Sequence, residues 1–151
     1  MTPSFRFRLE RVRAVRERKE KLAQRKLADA LSRRSSSVSE LRSAEDRLEH
    51  AREEQRNVAG EQGALSGSEL LARQAFLERV EAQQRMRARD LAQRDAEVAA
   101  RGAELVTAAS EHEMLNRLKD RRRSEHDREV ARHELSVLDE IAVTRHTRSR
   151  A

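Results

Sequence analysis

The chain has 151 residues, 40% of them charged, with a net charge of +6, no cysteine and only three aromatic residues. These figures exclude disulfides, cysteine-based zinc sites and cysteine nucleophiles, and no apolar run approaches the ~20 residues that a membrane span requires. Leu, Ile, Val and Phe total only 30, too few for a compact globular core, whereas Ala, Glu, Lys, Leu and Arg total 91, the composition of a long helix or coiled coil.

The N-terminal stretch FRFRLERVRAVRERKE opens a first helix, expected over about residues 6–58. The lone proline is Pro3, so nothing inside the chain forbids helix. Phe5, Leu9 and Val12 step by four and three, and Leu31, Val38, Leu41 and Leu48 by seven, three and seven; both are read as the helix's apolar seam. Phe5 belongs to that seam and Phe7 to another face, where it closes the base of the fold or meets a partner. The serine-rich SSSVS at 35–39 is a local soft spot, because serine competes for helix hydrogen bonds, or simply a solvated face.

Three of the four glycines lie in AGEQGALSGS, which is read as a turn over 59–68, with Ser68 as N-cap of the next helix and Glu69 in its first turn. The second helix is expected over about 69–143, followed by a basic tail, 144–151. Leu70, Leu77, Leu91, Val98 and Leu105 share one heptad position, with Gln84 and His112 as polar members. The companion row, Val80, Arg87, Arg94, Arg101, Ala108 and Leu115, is weaker, so the core is thin and interrupted. Phe76 falls beside the seam, and an exposed aromatic among charges is a candidate binding anchor.

A short turn between two long helices implies an all-α fold: one long antiparallel two-helix coiled-coil hairpin. Pairing back from the turn sets Phe5 near residue 121. Beyond about Arg123 the second helix overhangs, and the overhang is amphipathic. One stripe is Ala131, Leu135, Leu138 and Ala142; the flanking one is Val130, Val137 and Ile141. An apolar helix face needs something to cover it, so this arm is a docking surface, or else a self-pairing dimer interface.

Charge is unevenly placed. Residues 1–26 carry ten basic residues against three acids, residues 117–151 ten against seven, and the middle thirteen against seventeen. Arginine outnumbers lysine 29 to 4, but Tyr and Trp are absent, so stacking platforms for nucleic acid are lacking. Glu10, Glu17 and Glu20 interleave the basic residues, which reads as an ion-paired helix rather than a phosphate-tracking stripe. A membrane-surface reading is disfavoured because the basic helix carries few large apolar residues. No catalytic constellation is present: GEQGALSG lacks the Lys-Ser/Thr of a phosphate loop, and a coiled coil has no pocket to tune its carboxylates. His126 and His133, with Asp127 and Glu134 beside them, would need metal ligands from elsewhere and read as a solvated face. The chain is therefore expected to be no enzyme and to hold no metal or cofactor.

Three segments, in order, resemble the FliJ family of flagellar export proteins: FRFRLERVRAVRERKE, LLARQAFLERVEAQ, and RLKDRRRSEHDREVARHELSVLDEIAVTR with its LDEIA segment and basic tail. The tyrosines often found near the tip in that family are absent. The resemblance implies a cytoplasmic component of the flagellar type III export apparatus, peripherally associated with the inner membrane and serving motility. It further implies an antiparallel coiled coil, similar to the central stalk of rotary ATPases, that engages the hexameric export ATPase, the cytoplasmic domain of the export-gate membrane protein, and export chaperones. By matching segment, Phe5, Phe7, Leu135, Leu138, Asp139, Glu140 and Ile141 fall at the ATPase end, and Phe76 and Val80 at the export-gate contact. The alternatives are a structural, self-associating or nucleic-acid-associated coiled coil, and the equivalent stalk of an injectisome.

Overall fold

The computed structural model describes residues 4–60 and 66–148. Those residues form two long helices packed against each other, α1 (Glu10–Gly60) and α2 (Gly67–Arg148), and no strand. By packing the chain divides into two units, Met1–Lys21 with Val106–Ala151, and Leu22–Leu105.

Both helix starts have a physical cause. Residues 4–7 lie outside any helix and α1 begins at Glu10, not near residue 6. The Glu10 amide donates to the Phe7 carbonyl at 3.2 Å. The Glu10 carboxylate suits the positive end of the helix dipole. At the start of α2 the cap is Ser66, two residues before the expected Ser68. The Glu69 amide donates to Ser66 Oγ at 3.3 Å, and the Ser66 amide donates to Glu69 Oε2 at 2.9 Å. This reciprocal capping box satisfies donors that would otherwise lack partners, and it holds the Glu69 carboxyl below its ordinary pKa, chiefly through the Ser66 backbone. At its other end α2 continues to Arg148, so residues 144–148 of the expected basic tail are helical; Arg145, His146 and Arg148 complement the negative end of the dipole. Of the expected turn, Ala59, Gly60, Gly67 and Ser68 are helical, while residues 61–65, like 149–151, lie outside the described residues.

In the Leu22–Leu105 unit the helices run antiparallel. Arg34 pairs with Asp95, Glu40 with Arg87 at 2.7 Å, and Arg52 with Glu81 at 3.1 Å. The seam of α1 is mostly alanine. Ala23, Ala30, Ala44 and Ala51 are buried, Leu48 joins them, and Leu27, Ser37 and Leu41 are half-buried. These positions repeat at four and three residues, but with a small side chain at every seventh. Leu31, expected in the seam, is instead exposed. On α2 the two expected rows are borne out from Leu77 to Ala108: Val80 and Ala108 are buried, and Leu91, Val98 and Leu105 are half-buried. Leu70, the expected first member, is exposed. The serine-rich stretch is uninterrupted helix; Ser36 Oγ donates back to the Ser32 carbonyl at 3.3 Å.

The Met1–Lys21/Val106–Ala151 unit is also antiparallel, but its seam is polar. Glu10 pairs with Lys119 at 2.9 Å, Arg16 with Glu111, and Glu20 with His112 at 2.6 Å; Arg13 donates to the Asn116 side chain at 3.4 Å. Leu9 and Val12, expected in the seam, are exposed, while Arg13, Ala14 and Glu17 are half-buried. The register is also shifted from that expected: Phe5 lies against His126, with ring centroids 5.7 Å apart, rather than near residue 121.

Candidate docking surfaces

Three surfaces gather the sequence-predicted residues, each within a single unit. The first is the N-terminal segment and the part of α2 beneath it. Residues 4–7 precede α1, and Phe5 and Phe7 are both half-buried there, lining clefts with residues of α2. Phe5 meets His126 edge-to-face at 60° between planes. His126, expected on a solvated face, is therefore half-buried, and its Nδ1 is buried without a hydrogen-bond partner, 3.6 Å from the Asp127 carboxylate. Clefts of about 770 and 740 Å³ flank the segment. Phe5, Phe7 and His126 line both; Lys119, Arg123 and Val130 add to one, and Leu118, Arg122 and Glu129 to the other. The Glu10 carboxyl at the rim is pulled from 4.5 down to about 2, chiefly by the hydrogen bond from Arg13 and then that from Lys119. It stays a carboxylate at any physiological pH and holds both cations.

The second surface is the end of α2. Past Val130, every residue through His146 is exposed. Leu135, Leu138 and Ile141 are 62%, 60% and 46% exposed, and Val137 and Val143 join them. Asp139 and Glu140 are exposed beside this face. The amphipathic stripe read from the sequence is thus present as helix and uncovered. The structure extends the contact of the N-terminal segment with α2 a few residues beyond Arg123, because Phe5 reaches His126.

The third surface lies in the Leu22–Leu105 unit. Phe76 is 48% exposed and borders a groove of about 470 Å³ between the helices. Ala51 and Val80 line it with Phe76, and Asp46, Arg47, His50 and Glu54 of α1 flank it. Val80 is buried, so it sits at the bottom of this groove rather than on its rim. The sequence reading missed the α1 side altogether. The signal was there in His50 and Arg47, which fall beside the alanine seam once that seam is recognised.

Among the described residues no group of three His, Asp or Glu side chains could hold a metal ion, and no helix is long and apolar enough to cross a membrane. What the arrangement offers is apolar helix faces ringed by charge, suited to partner helices.

A family model described as flagellar FliJ protein matches residues 5–151. No curated protein and no solved structure matches the chain.

Proposed function

The chain belongs to the FliJ family of the flagellar export apparatus, matched over nearly its whole length, and on that premise we propose that it binds the hexameric export ATPase as a central-stalk-like coiled coil. The observation that carries this reading is the uncovered apolar face of α2 past Val130. A helix face of this kind is stabilised only by burial, and each large side chain covered contributes ~1.5–3 kcal/mol. Leu135, Leu138 and Ile141 form the apolar contact, Asp139 and Glu140 the charged rim. Phe5 belongs to the same end through its contact with His126, and Phe7 through the clefts it lines beside it. The groove at Phe76 serves the second partner, the cytoplasmic domain of the export gate, with Val80 beneath it. Substrate chaperones are escorted between the two. The protein acts as a scaffold and escort, not an enzyme, in the cytoplasm and peripherally associated with the inner membrane.

Two variants separate the surfaces. Leu135→Asp with Leu138→Asp abolishes co-sedimentation with the purified export ATPase but leaves gate binding intact. Phe76→Ala does the reverse, weakening gate binding at least roughly tenfold, the size expected for an aromatic anchor. Helicity by circular dichroism is unchanged in both. Equal loss of both partners in either variant, or loss of helicity, would make these residues structural and remove the reading.

A further inference from the structure

The segment entering α1 and the helix's first turns present a cationic face that shares only Arg8 with the three docking surfaces. In the Met1–Lys21/Val106–Ala151 unit the acids of α1 are all engaged. Glu10 is held by Arg13 and Lys119, Glu17 by Lys21 at 2.7 Å and more distantly by Arg13, and Glu20 by His112. With them turned toward partners, the opposite face reads Arg8, Arg11, Val12, Val15, Arg18 and Lys19, spaced at three and four residues and free of acids. Arg8, Arg11, Arg18 and Lys19 are exposed, and Lys19 makes only a 3.8 Å approach to Glu111. Val12 and Val15 are 44% and 59% exposed in the middle of these cations.

We propose that this face of α1 docks on an anionic lipid bilayer surface. The charge asymmetry is what favours it. Seen as a sequence, the basic segment is diluted by three glutamates; folded, those glutamates point at partners and the outward charge is undiluted. Each basic side chain held near an anionic leaflet contributes about 1 kcal/mol. Arginine fits phosphate bidentately, and its long stem lets the charge reach headgroups while the shorter valines between approach the interface. The few large apolar residues on the face make the attachment electrostatic and reversible rather than inserted. A phosphodiester backbone would have no use for two exposed valines at the centre of the face, and no aromatic is there to stack on bases. The proposal deepens the peripheral membrane association of the proposed function and does not depend on the ATPase or gate assignments.

The test is flotation of the full-length chain with vesicles of phosphatidylcholine alone and with phosphatidylglycerol mixed in, at low and at high salt. Binding to the anionic vesicles only, lost at high salt, is the expected result. Arg11→Glu with Arg18→Glu should weaken it at least roughly tenfold. A control with the same charge change at exposed arginines of the other unit, Arg42→Glu with Arg89→Glu, should retain most of it. Circular dichroism on both variants guards against unfolding. No binding to anionic vesicles overturns the proposal, as does equal loss in the two variants, which would reduce it to net charge. Retention of duplex DNA in a parallel assay without vesicle binding would assign the face to nucleic acid instead.

Discussion

Alanine sets the character of α1's seam. Ala30, at 1% exposed the most buried of the described residues, and Ala23, Ala44 and Ala51 recur at multiples of seven, with half-buried Ser37 filling the missing place. The Glu40–Arg87 pair fixes the register beside Ser37 and Ala44, so small side chains of one helix share a level with long arginines of the other. An arginine at such a level can lay its aliphatic stem along the seam and keep its charge in water. A large residue cannot be added there without separating the helices. Ala30→Leu should therefore destabilise the protein by ~1–3 kcal/mol, as overpacking does. Gly102, inside α2, is the opposite case: a Cβ there would meet nothing within 4 Å. Gly102→Ala should raise stability by ~0.5–1 kcal/mol through helix propensity alone. Paired thermal melts of the two variants check both signs, and a more stable Ala30→Leu would contradict this packing. The alanine seam was the part of the core least legible in the sequence. Leu31 looked like seam because large apolar residues draw the eye, while alanine is equally at home on a surface; Val38 and Leu41 of the same reading are half-buried and Leu48 is buried. The leucine and valine row of α2 was legible because no other pattern competed with it.

The helix ends and the ion pairs belong to the scale of elements. Ser66-x-x-Glu69 carries a capping box that could have been read directly; Ser68 was favoured because it lies next to the apolar run. That residues 4–7 stay out of the helix could not be read, because their composition suits helix and only the reach of Phe5 to His126 explains the departure. The polar seam beside them was foreshadowed by glutamates at spacings of seven and three, whose partners are now visible. Those pairs make α1's start acid-sensitive. Glu10 titrates at about 2 in the folded chain against 4.5 ordinarily, and Glu17 and Glu69 are also lowered. A lowered carboxyl stabilises the folded state above pH 4.5, and that contribution is lost as pH falls, for Glu10 fully only near about 2. Thermal stability should thus be level from neutral pH down to about 4.5 and decline below it. Glu10→Gln should lower stability at neutral pH and flatten part of the acid decline, measured by circular dichroism melts across pH. An unchanged pH profile would mean that the Glu10 pairs contribute nothing.

For the whole molecule, family membership was legible where the sequence joined pattern to placement. The two helices, the amphipathic arm and the exposed Phe76 were all readable, and the family match over residues 5–151 agrees with the segments that carried the resemblance. The cationic outer face of α1 was not readable, since which way its glutamates turn depends on α2. Nor was the length of the free arm: because Phe5 rests on His126, a truncation that spares the folded base must keep residues through Val130. The central claim is that the arm beyond that point engages the export ATPase. The most direct measurement is ATP hydrolysis by the purified cognate flagellar export ATPase, titrated with the full-length chain and with a 1–130 truncation of equal helicity per residue. Saturable stimulation by the full-length chain and none by the truncation is the predicted result. Equal stimulation by both, or no binding and no stimulation by either, would contradict it.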